Sequence, residues 1–144
     1  MQDYDVIIIG AGPSGVKSAL TCSKKGLEVL IIDSNGNSGG QIYRAPPKSY
    51  IKKGEKTLEE NLIQLKFSED LTKKNIDTAY NHTVWQVSPG FKIDAFNENG
   101  TIQWNTKNLI VATGTYEKII PFDGWTTPGV IGLAACTILL KAHQ

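Results

Sequence analysis

Gly10-Ala11-Gly12-Pro13-Ser14-Gly15 places three glycines at GxGxxG spacing, and Asp33 and Ser34 stand at the end of the next apolar run. Chemically, this is equipment for holding a pyrophosphate and a ribose. Gly10 permits a tight turn, Gly12 lets the backbone approach a pyrophosphate, and Gly15 lets a helix and a strand pack closely. The unpaired N–H groups at the start of the helix then receive the negative charge. Pro13 and Ser14 fill the variable places of the turn, and Ser14 reads as a phosphate contact. Asp33, with Ser34 beside it, is placed to accept hydrogen bonds from adenosine ribose hydroxyls. Its charge disfavours a 2′-phosphate, and the nearest arginine in sequence, Arg44, lies across a glycine-rich loop.

A bare GxGxxG is a weak signal, and the bland alternative is a glycine-rich turn that binds nothing. Here the turn follows a predicted strand and opens a predicted helix, and this context is what the dinucleotide fingerprint requires. Two rival readings fail on counting. An NTPase phosphate loop needs lysine directly after Gly15, where Val16 stands. A nucleophile elbow, GxSxG, needs glycine at that same place. The remaining candidates are weaker. His82 and His143 read as solvated histidines without an oriented partner, so neither a catalytic base nor a metal ligand is assigned. Glu59, Glu60, Glu69 and Asp70, interleaved with Lys66, Lys73 and Lys74, read as an exposed helix face. Lys52, Lys53, Glu55 and Lys56 read as a solvated loop. Trp85, Trp104 and Trp125 read as core residues, since large aromatics are mostly buried.

Positioning these residues needs a particular set of elements. Val6-Ile7-Ile8-Ile9 is a short apolar run stopped by glycine, the pattern of a strand buried on both faces of a parallel sheet. Val16, Ala19 and Leu20 give the following helix its buried stripe, and Gly26 ends it. Val29 to Ile32 repeats the buried-strand pattern, which completes a strand, helix, strand unit and implies parallel pairing. Ser34 to Gly54 has loop composition. Thr57-Leu58-Glu59-Glu60 reads as a capping box, with Leu62, Leu65, Phe67 and Leu71 as the inner face of a helix reaching about Lys74. Three alternating runs follow, Thr83 to Val87, Lys92 to Phe96 and Thr101 to Asn105, the last two joined across Asn99-Gly100. Leu109 to Ala112 predicts one more buried strand, closed by Thr113-Gly114. The expected class is α/β: a Rossmann-like three-layer domain with a helix layer, a central parallel sheet and a small antiparallel meander from about Thr83 to Asn105.

The chain has 144 residues and a formal charge of +1, with 40% hydrophobic and 20% charged residues. One domain with a real core fits those figures, and wholesale disorder and an obligatory nucleic-acid partner do not. Its two cysteines, Cys22 and Cys136, are too few for a disulfide scaffold and too far apart for a CxxC site. They fit a reducing cytoplasm. No secretory or transit signal is recognisable at the N-terminus, and Val130 to Leu140 is too short to cross a membrane.

Taken together, Asp5 to Gly15, Gly39-Gly40-Gln41-Ile42-Tyr43-Arg44, Val111 to Gly114 and Pro121-Phe122-Asp123-Gly124-Trp125 resemble flavoproteins with two dinucleotide-binding domains. Within that superfamily the chain looks like the FAD-binding subunits of opine oxidase, hydrogen cyanide synthase, hydroxyproline and dye-linked proline dehydrogenases, and the alpha chain of sarcosine oxidase. Disulfide reductases share the first and third motifs but carry a redox cysteine pair after the double glycine, where Gln41 and Ile42 stand here. By this resemblance Gly10, Gly12, Ser14 and Gly15 hold the pyrophosphate of FAD and Asp33 its ribose. Gly39, Gly40 and Gln41 approach the flavin side, Ala112, Thr113 and Gly114 pass close to the cofactor, and the backbone near Val84 meets adenine.

The resemblance also implies an oxidoreductase acting on an amine or amino acid, with the flavin doing the chemistry. Relatives continue into an NAD(P)-type domain and a closing segment. The expectation is therefore an FAD-binding domain over residues 1–144, incomplete at its C-terminal end and completed by a further region or a partner subunit. The isolated chain is expected to be inactive. Two other readings stay open at this point: a non-catalytic nucleotide-binding or assembly module, and an NAD-binding dehydrogenase domain.

Overall fold

The computed structural model describes residues 2–44, 57–72 and 75–142. Strands β1 (Gln2–Ile9), β2 (Val29–Asp33), β3 (Ile76–Tyr80), β4 (Thr83–Ser88), β5 (Lys92–Asn97) and β6 (Gly100–Val111) form one sheet in the order β3-β2-β1-β6-β5-β4. The pairs β3-β2, β2-β1 and β1-β6 are parallel, and β6-β5 and β5-β4 are antiparallel. Helix α1 (Pro13–Ser23) crosses from β1 to β2, α2 (Thr57–Leu71) precedes β3, and α3 (Leu133–Ala142) follows the sheet.

Because β1 and β2 run through the middle, successive side chains must find cover on both faces. Val6, Ile8, Val29 and Ile31 pack with Val16 and Ala19 of α1 and Phe67 and Leu71 of α2. Ile7, Leu30 and Ile32 pack the other way, against Ala79, Ile93, Ala95 and Trp104. The meander therefore covers the second face, and the three layers are helices, parallel sheet and meander.

Four local expectations change. The runs Thr101 to Asn105 and Leu109 to Ala112 are not two strands: β6 is continuous through the polar stretch Thr106-Lys107-Asn108, and ends at Val111. Thr106 pairs with Tyr4 and is buried, its hydroxyl donating to the Tyr4 carbonyl at 3.1 Å, so the sheet satisfies the polar group that interrupts the apolar pattern. Strand β3 has no counterpart among the expected elements, since Ile76-Asp77-Thr78-Ala79-Tyr80 mixes polar and apolar residues as a sheet edge does. Of the predicted inner face of α2 only Phe67 and Leu71 are buried, whereas Leu62 and Leu65 are 56% and 47% exposed. Positions 67 and 71 share one face at i, i+4 spacing, and 62 and 65 project elsewhere. Of the three tryptophans only Trp104 is core. Trp85, on the edge strand β4, is 57% exposed and Trp125 lies in an exposed turn. The side chains of Glu59, Glu60 and the capping box, together with Lys52, Lys53, Glu55, Lys56, Lys73, Lys74 and His143, lie outside what is described.

Candidate functional site

The C-terminal ends of β1, β2 and β6 come together beside the start of α1. From β1 the chain winds outward to β2 on one side, while β6 lies on the other, so this is the point at which strand order reverses. In open α/β sheets the crevice at such a point takes the ligand. Backbone hydrogen bonds lock the edges: the Gly10 N–H donates to the Ile32 carbonyl and the Ala112 N–H to the Ile9 carbonyl, both at 2.8 Å.

Each fingerprint glycine has its own role. Gly10 has φ +107°, and a side chain there would run into the Ala112 carbonyl. A Cβ on Gly15 would strike the Gly10 carbonyl, so helix and strand approach more closely than any other residue allows. Gly12 is different: a Cβ there meets nothing within 4 Å. The space in front of it belongs to a cleft of about 480 Å³ bordered by Gly10, Gly12, Pro13, Ser14, Asp33, Asn35, Gly40, Gln41, Ile42, Arg44, Ala112, Thr113, Gly114 and Thr115. Pro13 opens α1, no side chain caps it, and its first turn carries no acid. Its positive end is thus left for an outside anion.

The loop after β2 forms the second wall. The Gly39 N–H donates to the Ala11 carbonyl at 2.8 Å, and Gly40, with φ +62°, lies against Gly12 closely enough that a Cβ would come within 3.0 Å of the Gly12 Cα. Ser38, fully buried, shares a hydrogen bond with Ser68 of α2 at 3.1 Å and anchors this loop from behind. Gly39 and Gly15 are buried and do not border this cleft, so both support the site from outside it. A second cleft, about 210 Å³, continues along Ile9, Ile32, Ser34, His82, Thr83 and Val84, and shares Gly10, Asp33, Asn35 and Thr113 with the first. Ser34 and Val84 therefore lie at one end of the site, with Gln41 and Gly114 at the other.

Asp33 joins the two clefts, and its carboxylate is already engaged. Oδ2 accepts from the Ala11 N–H at 2.6 Å, and Oδ1 accepts from the Asn35 N–H at 2.7 Å and the Asn35 side-chain amide at 2.8 Å. These bonds fix its orientation and leave one lone pair, on Oδ2, for a ligand hydroxyl. The strand end does have an arginine close by. Loop 34–44 folds back so that the Arg44 guanidinium donates to Asn35 Oδ1 at 3.4 Å. Separation in sequence hides this return.

His82 also departs from expectation, because it has oriented partners. Its Nδ1 lies 2.7 Å from the Tyr80 carbonyl oxygen, which can only accept, so that nitrogen carries the proton and Nε2 accepts from the Asn97 amide at 2.9 Å. The ring stands edge-on to Trp104, with centroids 5.7 Å apart. Asn35, Arg44 and His82 are thus the site residues that spacing does not signal. Asp33-Ser34-Asn35 as a turn is the one available hint for Asn35.

The residues fit a dinucleotide such as FAD on one structural observation: the open space before Gly12 at an uncapped helix start, between glycines whose own positions are closed. No grouping of His, Cys, Asp and Glu among the described residues could hold a metal ion, and neither cysteine borders the clefts.

Residues 4–142 match the family model described as pyridine nucleotide-disulphide oxidoreductase. An opine oxidase subunit of Agrobacterium tumefaciens (strain Ach5) is 32% identical over 96% of this chain and 29% of its own length. The Pseudomonas aeruginosa hydrogen cyanide synthase subunit HcnB is 25% identical over 94% of this chain and 30% of its own. Among solved structures, L-proline dehydrogenase from P. horikoshii superposes with a TM-score of 0.77 at 22% identity, covering 96% of this chain and 28% of that one. The likeness to that dehydrogenase concerns the fold. This chain spans about 30% of the length of such relatives.

Proposed function

The chain belongs to the pyridine nucleotide-disulphide oxidoreductase family, and from that premise we propose that it is the FAD-binding portion of an oxidoreductase acting on an amine or amino acid. The observation that carries the cofactor assignment is the space before Gly12, framed by the start of α1, the Gly40 loop and Asp33. In this reading the turn from Gly10 to Gly15 takes the pyrophosphate and Asp33 the ribose. Ser34 and Val84 border the adenine end, and Gln41, Ala112, Thr113 and Gly114 lie toward the flavin. Bound FAD would supply two-electron redox chemistry, while this chain's residues bind and orient it.

The substrate class rests on similarity to the opine oxidase subunit and to HcnB, and on the absence of a cysteine pair after Gly40, where Gln41 and Ile42 replace dithiol chemistry. Leu133, Leu139 and Leu140, all exposed on α3, support docking of a further region or a partner subunit. The two free cysteines support a reducing, cytoplasmic setting. No helix among the described residues is long and apolar enough to cross a membrane.

Titration with FAD and with ADP, alongside absorbance of the purified protein in the flavin bands, tests the cofactor. The expected result is saturable binding of both, with Asp33→Ala weaker by roughly 1.5–3 kcal/mol for loss of charge-assisted hydrogen bonds. A wild-type chain that binds neither ligand ends the proposal.

A further inference from the structure

Bound in this cleft, a dinucleotide would bring two negative phosphates close to Asp33, itself an anion. Helix α1 can offset only part of that charge, about half a unit at its N-terminus. Among the described residues bordering the large cleft, Asp33 and Arg44 are the only charged ones. Lys17, nearby in sequence on α1, lies over the Phe67 ring at 6.0 Å from its centroid and borders neither cleft. Among the described residues, the fold therefore brings one cation, Arg44, to the place where an anionic ligand would need one.

We propose that Arg44 is a phosphate-binding residue, whose guanidinium takes pyrophosphate oxygens from the wall opposite the Gly10–Ser14 turn. The two walls are the turn itself and the stretch from Gly40 to Arg44, and both border the same cleft. Arg44 is half-buried, and its hydrogen bond to a described residue is a long one, 3.4 Å to Asn35 Oδ1. A guanidinium has five N–H donors in a planar fork suited to two phosphate oxygens, so this bond orients the group without exhausting it. Asn35 is the positioning residue. Its amide nitrogen donates to Asp33 while its oxygen accepts from Arg44, so one side chain ties the ribose-side carboxylate to the phosphate-side cation. Among the described residues bordering a pocket of about 170 Å³ beside Arg44, which are Asn35, Gly36, Asn37, Ser38, Gly40 and Gln64, none is a carboxylate that would neutralise it.

This rests on the nucleotide reading of the cleft, and the test separates the two. Adenosine, AMP, ADP and 2′,5′-ADP are titrated calorimetrically into the full chain as wild type, Arg44→Gln and Arg44→Lys, at low and moderate salt. Wild-type ADP binding establishes the cleft; its failure defeats the reading of function rather than the role of Arg44. Given that binding, Arg44→Gln should weaken ADP roughly tenfold to a hundredfold, flatten its salt dependence and leave adenosine unchanged, with Arg44→Lys in between. Equal ADP affinity in wild type and Arg44→Gln overturns the proposal. So does an equal loss for adenosine and ADP, which would mean a structural role. An Arg44-dependent gain for 2′,5′-ADP over AMP that exceeds the gain for ADP also overturns it, because the phosphate would then sit on the ribose.

Discussion

Gly12 and Gly15 belong to one motif and differ in what surrounds their missing side chains. At Gly15 a Cβ collides with the Gly10 carbonyl, a backbone atom that cannot swing aside. Gly15→Ala should therefore push α1 off β1 and cost roughly 1–3 kcal/mol of stability, as overpacking does. At Gly12, φ −69° and ψ 179° are ordinary extended backbone and the Cβ direction is open. Gly12→Val should cost only about 1 kcal/mol, the penalty of an apolar residue at a helix N-cap, yet fill the space that a pyrophosphate would use. Thermal melts and FAD titrations of both variants check this pair. A Gly12→Val protein that keeps full FAD affinity would show that the cofactor does not approach there, whatever Gly15→Ala does.

Among elements, β1 carries most of the coupling, since it pairs with β2 and β6 and reaches β3 through one side chain. The Tyr4 hydroxyl donates to Asp77 Oδ2 at 2.8 Å, crossing over β2 to the sheet edge. Burial first, then the bond to Asp77 and its charge, hold the Tyr4 phenol protonated well above its ordinary range. The unfolded chain releases that proton near pH 10 and the folded chain later, so the folded state binds more protons above pH 10. Stability should be level below about pH 10 and fall as pH rises beyond it, and Tyr4→Phe should flatten that alkaline limb. Urea melts from pH 8 to pH 11 test it, and parallel profiles for both proteins would remove Tyr4 as the cause.

The same strands show which parts of the fold are readable from composition. Val6 to Ile9 and Val29 to Ile32 are legible because burial on both faces leaves no room for polar residues. Strand β3 and the middle of β6 are not, because an edge strand tolerates polarity and Thr106 reaches the Tyr4 carbonyl across 102 residues of sequence. The candidate site divides in the same way. Its glycines and Asp33 are set by local geometry and stand out in the sequence, with Asn35 held in a short turn on Asp33, while Arg44 and His82 depend on how loop 34–44 and the turn before β4 return to the cleft. A chain return of this kind leaves no fixed spacing to read.

At the scale of the whole molecule, the described surface is unusually apolar beyond β6. Tyr116, Ile120 and Phe122 are exposed, as are Ile131 and, on α3, Leu133, Leu139 and Leu140, with Leu133 at 77%. Glu117 ties part of this region together, accepting from the Ala134 N–H at 3.2 Å near the start of α3. That hydrogen bond orients the start of the helix without hiding its leucines, and exposed apolar surface of this kind drives association. The end of the cleft proposed for the flavin shares the same openness, since Gln41, Ile42, Thr113, Gly114 and Thr115 are all exposed. An isoalloxazine ring placed there would face water, which weakens directing electrostatics and admits side reactions of reduced flavin. The 144-residue chain should therefore self-associate and show little dye reduction with amine or proline substrates even when it binds FAD. Replacing Leu133 and Leu140 together by lysine should shift its gel-filtration profile toward monomer without changing FAD affinity, because neither residue borders the cleft. A wild-type chain that elutes as a monodisperse monomer and turns over briskly would show that this surface needs no cover and that the open cleft suffices for catalysis.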